Sequence, residues 1–148
     1  MGEARHSVAS AERILVLAPT GRDAELLAST LSQNGFAAGI CPDMASLTSS
    51  LVEGGAVVIV AEEALSGPSS DLLDGMLAAQ PSWSDLPVVV LLSTGATLAS
   101  SRALLSRFSR HGNVTLLERP VRTVALTSTV QAALRARHRQ YEVRDHLG

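Results

Sequence analysis

The fold this sequence predicts is α/β: a five-stranded parallel sheet covered by helices on both faces. Two observations carry that prediction. Short continuous apolar runs alternate five times with segments of helical periodicity. The runs also lack the polar alternation of a half-exposed sheet, so they suit strands buried on both sides. At 148 residues the chain is long enough to enclose one proper core.

The elements run in order along the chain. Ile14–Leu17 is the first apolar run. Thr20-Gly-Arg-Asp23 has the Ser/Thr-x-x-Asp/Glu form of a helix cap, and Leu26, Leu27 and Leu31 come after it at helical spacing. Asn34-Gly35 closes that helix with a residue able to take positive φ. Phe36–Cys41 is a weaker second strand, and Asp43 can cap a helix carrying Met44, Leu47 and Leu51 that stops at Gly54-Gly55. Ala56–Ala61 is the third strand. A loop with Gly67-Pro-Ser-Ser70 leads to a helix bearing Leu72, Leu73, Met76 and Leu77, ended by Pro81.

Leu86–Leu92 is the fourth strand, with Pro87 suited to its start. A polar loop, Ser93–Thr97, precedes a helix near Leu98–Arg110 that Gly112 can terminate. Val114–Glu118 is the fifth strand. The last helix begins after Pro120, with Val124, Val130, Ala133 and Leu134 expected to pack on the sheet. Five such units favour the flavodoxin-like strand order 2-1-3-4-5, whose functional crevice lies at the carboxyl ends of the strands.

Composition narrows the function classes. The chain is 46% hydrophobic and 18% charged, and no apolar run approaches the roughly 20 residues of a membrane span. Residues 1–11 are charged and read as a disordered leader rather than a secretory signal. The lone Cys41 gives neither a disulfide nor a metal cluster, so a cytoplasmic location and no cofactor are expected. The four histidines, His6, His111, His138 and His146, show no catalytic or metal-ligand spacing.

Charge is lopsided. Residues 1–101 hold 11 acids and 3 arginines, whereas residues 102–148 hold 9 arginines and 3 acids; there is no lysine. Such asymmetry suits a nucleic-acid surface. Against it stand the absence of lysine, 3% aromatics and no DNA-binding motif, so nucleic acid is not the expected partner.

Three phrases in this order carry a resemblance: Ile14-Leu-Val-Leu17 turning into a helix, Leu86-Pro-Val-Val-Val-Leu-Leu-Ser93, and Leu117-Glu-Arg-Pro-Val121. Residues 12–136 resemble a receiver domain of the CheY-like response-regulator family. A receiver phosphorylates its own aspartate, using two acids after the first strand, the acceptor after the third, a Thr or Ser after the fourth and a Lys before proline. Mg²⁺ held by the acids offsets charge on the transferring group.

By that resemblance the acid pair falls on Ala18 and Pro19, the acceptor on Ala61, and the hydroxyl position on Leu92, or on Ser93 if the register slips by one. Arg119 alone keeps its charge, in the place of the lysine. The resemblance therefore implies a degenerate receiver with no enzymatic step and no metal. Two readings of the adjoining acids stay open. Glu62 enters the crevice and holds Arg119 through two parallel hydrogen bonds, or both Glu62 and Glu63 are solvated. An alternative function is a receiver that keeps a non-standard phosphorylation or binds a small anion at the same crevice.

The last helix is strongly polar beyond Leu134, so residues 12–134 are expected to form the domain and 135–148 a helical connector. Leu134, Arg137, Tyr141 and Arg144 take a 3-4-3 spacing that offers a poorly apolar dimer seam. Arg139-Gln-Tyr-Glu-Val-Arg-Asp-His-Leu147 resembles the connector after receiver-like modules of bacterial sensor histidine kinases, which implies kinase domains beyond it. The resemblance also implies a dimer or partner surface on the fourth helix, fifth strand and fifth helix, with Arg102, Arg107, Arg119 and Arg122 as candidates.

Overall fold

The computed structural model of the protein describes residues 13–18, 22–65, 70–81, 84–95, 97–108 and 113–147. The expected leader, Pro19, the Thr20-Gly21 pair, His111 and Gly112 lie outside the described residues.

The strands are β1 (Arg13–Leu17), β2 (Ala37–Ile40), β3 (Val57–Ala61), β4 (Val88–Leu91) and β5 (Val114–Leu117). The helices are α1 (Asp23–Gln33), α2 (Met44–Glu53), α3 (Ser70–Ala78), α4 (Leu98–Phe108) and α5 (Thr123–Leu147), with a 3₁₀ turn at Glu62–Leu65. All strands pair in parallel, in the order β2-β1-β3-β4-β5. Ile14 sits opposite Val57, Val58 opposite Val88, and Val88 opposite Val114. This is the predicted flavodoxin-like order.

Alternate residues of each strand feed separate layers. Leu15, Leu17, Val58, Val60, Val88 and Val90 meet Met44 and Leu47 of α2, Leu73 and Leu77 of α3, and Leu104 and Phe108 of α4. Ile14, Val16, Val57, Ile59, Val89 and Leu91 meet Ala24 and Leu31 of α1 and Leu126 and Val130 of α5. Every residue of β3 is buried, as its continuous apolar run requires.

Local signals place the boundaries. The Asp43 carboxylate accepts the Ser46 N–H at 2.7 Å and caps α2. Gly54 stops that helix with φ of 114°, and Gly35 comes after α1 with φ of 87°, both left-handed values that glycine adopts freely. At α1, Arg22 holds the N-cap position without a side-chain hydrogen bond and Asp23 pairs with Arg119; the expected cap residue Thr20 lies outside the described residues. Val124 is 75% exposed rather than packed on the sheet; Leu126, two residues later, takes that place.

Leu47 is fully buried between α2 and the sheet, whereas Leu26 points outward from α1. Leu47→Ala is expected to cost about 2–5 kcal/mol in urea unfolding. Leu26→Ala is expected to change stability by no more than about 0.5 kcal/mol.

Candidate functional site

Parallel strands bring their carboxyl ends to one edge, and the residues just past them form a crevice. Arg119, two residues beyond β5, reaches into it ahead of a cis Arg119–Pro120 peptide. Its Nη2 donates to both oxygens of Glu63, at 2.8 and 2.9 Å, and to the Leu91 carbonyl at 3.3 Å. Its Nη1 donates to Asp23 Oδ2 at 3.3 Å. Ser93 completes the cluster, its hydroxyl donating to Glu63 Oε1 at 2.8 Å.

The residue facing Arg119 is thus Glu63 and not Glu62. The backbone explains the difference. The chain leaves β3 directly into a 3₁₀ turn, in which successive side chains are rotated by about a third of a circle. Glu62 therefore swings toward the β4 loop, where it accepts the Ser93 N–H at 2.8 Å. Glu63 comes to lie over the crevice. The contact also differs in form, since one guanidinium nitrogen spans both carboxylate oxygens in place of two parallel bonds.

Burial works against a charged Glu63, but the hydrogen bonds from Arg119 and Ser93 and the charge of Arg119 outweigh it. The net result is a carboxyl held below its ordinary value of 4.5. Asp23 brings a second acid to the same cation. One arginine and two carboxylates leave the crevice with an excess of negative charge, which opposes a further anion.

The remaining positions are apolar or lie elsewhere. Ala61 is buried, and Ala18 is half-buried at the end of β1. Leu92 is buried in the α2-α3-α4 layer, whereas the Ser93 hydroxyl joins the cluster at Glu63. Mg²⁺ requires hard oxygen ligands in octahedral array. Ala18 and Ala61 carry none, and Glu63 and Asp23 are held by Arg119. These residues do not fit the ion.

Of the arginines expected on the partner face, Arg102 and Arg122 are exposed. Arg107 is half-buried instead. It pairs with Asp74 of α3 at 3.0 Å and donates to the Leu65 carbonyl at 2.9 Å, tying α4 to the neighbouring helix and turn. Arg119 is likewise turned inward. The 3-4-3 row of α5 does not face outward as a seam, because Arg137 is only 6% exposed and donates to the Gly55 carbonyl at 3.2 Å.

No family model and no curated protein sequence matches the chain. Solved structures do. A CheY-like response regulator receiver domain protein from Methanospirillum hungatei matches with a TM-score of 0.68 at 15% identity, over 87% of this chain and 98% of that one. The signal receiver domain of a LuxO repressor protein from Vibrio parahaemolyticus matches with a TM-score of 0.71 at 13% identity, over 89% and 96%. The fold is that of a response-regulator receiver domain. NtrX from Brucella abortus, solved with ADP, matches with a TM-score of 0.69 at 23% identity, over 90% of this chain. This receiver-like chain spans only 28% of the length of NtrX.

The sequence placed Arg119 at the carboxyl ends of the strands but did not single out Asp23 and Glu63 as the acids that meet it. Asp23 was legible as an acid in the first turn of a helix beginning at the crevice edge. The choice between Glu62 and Glu63 depended on the 3₁₀ turn, for which neighbouring residues gave no signal.

Because the folded Glu63 carboxyl is held low, its contribution to stability is full above pH 4.5 and is lost as pH falls through the folded value. Circular dichroism during acid titration should show a shallower loss of stability in Glu63→Gln than in the parent. Equal slopes would exclude Glu63 as a proton-linked contact.

Proposed function

We propose that this chain is a receiver-like signalling module that works without aspartyl phosphorylation, as an interaction element in bacterial two-component signal transduction. The observation that supports this most directly is the Glu63 carboxylate lying on Arg119. A carboxylate occupies the cation that a phosphoryl group would need, and Ala61 stands where a phosphoacceptor would be. Without an acceptor or a magnesium cage, phosphoryl transfer lacks both its nucleophile and its charge compensation.

With no chemical step assigned, the module acts through its surface. Leu98, Arg102 and Leu105 share one face of α4 at helical spacing, and both leucines are exposed. Arg122 and Val124 lie exposed at the start of α5. Exposed apolar side chains interleaved with arginines suit a protein partner or a second copy, the arginines supplying orientation and specificity. No helix among the described residues is long and apolar enough to cross a membrane.

The reading that keeps phosphorylation or anion binding at this crevice has the two carboxylates against it. One experiment decides between them. After incubation with Mg²⁺ and acetyl phosphate, intact-mass spectrometry should show no phosphoryl adduct on this chain, with a phosphorylatable receiver run beside it as the positive control. An adduct would overturn the proposal, and its loss from a variant at one of the acids would identify the acceptor.

A further inference from the structure

Beside the crevice, a cleft of about 450 Å³ lies between α1 and the turn that joins β5 to α5. That volume lies in the range of pockets that take small molecules. Leu26 and Leu27 of α1 line one side, and Pro120, Val121 and Leu126 line the other. The buried Leu91, last residue of β4, lines it as well. Leu26 is 64% exposed, so a large apolar side chain stands open to solvent at this cleft.

Its polar groups are chiefly acceptors. Among the described residues, Asp23 and Arg119 are the charged groups that line it. Asp23 keeps 43% of its side chain exposed. It makes one hydrogen bond among the described residues, accepting from Arg119 Nη1 through Oδ2 at 3.3 Å, and its Oδ1 makes none. Arg119 gives its shorter contacts, 2.8 and 2.9 Å, to Glu63. One cation is thus shared between two carboxylates, and Asp23 holds the weaker share. Arg22, the chain neighbour of Asp23, lies 3.8 Å from Glu25 instead. Thr30, Thr94 and Thr123 line the same cleft, and among the described residues no hydrogen bond occupies their hydroxyls. A hydroxyl accepts a hydrogen bond as readily as it donates one.

We propose that this cleft binds a small lipophilic amine, its ammonium on Asp23 and its hydrocarbon body against Leu26, Leu27, Pro120 and Val121. An ammonium carries N–H donors and no acceptor, which matches a free carboxylate oxygen flanked by threonine hydroxyls. Arg119 holds the other oxygen and carries Glu63 as its own counter-charge. A ligand carboxylate would meet Asp23 as a like charge, and an alcohol would lack the charge-assisted hydrogen bond. The apolar walls reward a ligand that carries hydrocarbon, which inorganic cations do not. A bound amine touches both α1 and the first turn of α5. Its binding requires neither the presence nor the absence of phosphoryl transfer at the crevice.

n-Hexylamine and 1-naphthylmethylamine are the probes for an aliphatic and an aromatic body. 1-Hexanol and 1-naphthalenemethanol are their uncharged counterparts, and hexanoate is the anionic one. Titration of the ¹⁵N-labelled full chain at neutral pH should give saturable amide shifts centred on Leu26, Leu27, Val121 and Thr123 with at least one amine. The matching alcohol should bind at least about threefold more weakly, as the loss of a half-exposed ion pair implies, and hexanoate more weakly still. Asp23→Asn should bring the amine down to the affinity of the alcohol and leave the alcohol unchanged. Leu26→Ala, a change at an exposed position, should weaken amine and alcohol alike. Equal binding of amine and alcohol by the parent, a preference for the amine that survives Asp23→Asn, parental affinity in Leu26→Ala, or shifts centred elsewhere in the chain would each overturn the proposal. So would the lack of a saturable shift with either amine up to about 10 mM.

Discussion

A parallel sheet buried on both faces leaves its interior no place for charge, and the layout of the whole molecule obeys that constraint. Ionised groups in the middle of such a sheet would lose their hydration without compensation. The three inner strands accordingly carry valine, leucine and isoleucine through their central positions. Charged side chains with structural roles gather at the two ends of the strands, where backbone polar groups and loops can meet them. The protein thus has two polar poles separated by an apolar slab.

The poles use the same residue type in different ways. At the carboxyl pole, Arg119 is met by the carboxylates of Glu63 and Asp23. At the amino pole, Arg137 donates to a carbonyl, a hydroxyl and an amide oxygen, which fix its direction.

Much of this arrangement was legible in the sequence. Continuous apolar runs such as Val57-Val-Ile-Val60 could only be strands covered on both faces, and Asp43, Gly35 and Gly54 marked helix ends through local backbone chemistry. Arg119 before proline marked the carboxyl pole. The side-chain pairings were less accessible. Whether Glu62 or Glu63 meets Arg119 depends on a turn of one residue's rotation, and Arg107 looks like any surface arginine until α3 presents Asp74. The role of Arg137 was hidden for a different reason. A charged residue in a polar helical stretch reads as solvated, and its burial depends on Gly55 and Ser84, 82 and 53 residues away in sequence.

Helix α5 passes both poles as one uninterrupted element of 25 residues, with Leu126 and Val130 gripping the sheet and Arg137 and Gln140 gripping its base. Each residue inserted into a helix rotates the downstream turns by about 100° and advances them about 1.5 Å. The two grips are therefore in fixed angular phase. Between Val130 and Arg137 the chain tolerates a change of side chain far better than a change of length, since one inserted residue would swing Arg137 away from Gly55 while leaving the upper grip intact. The heading of its late turns is thus set by counting residues, much as a key's bitting sets which way it turns.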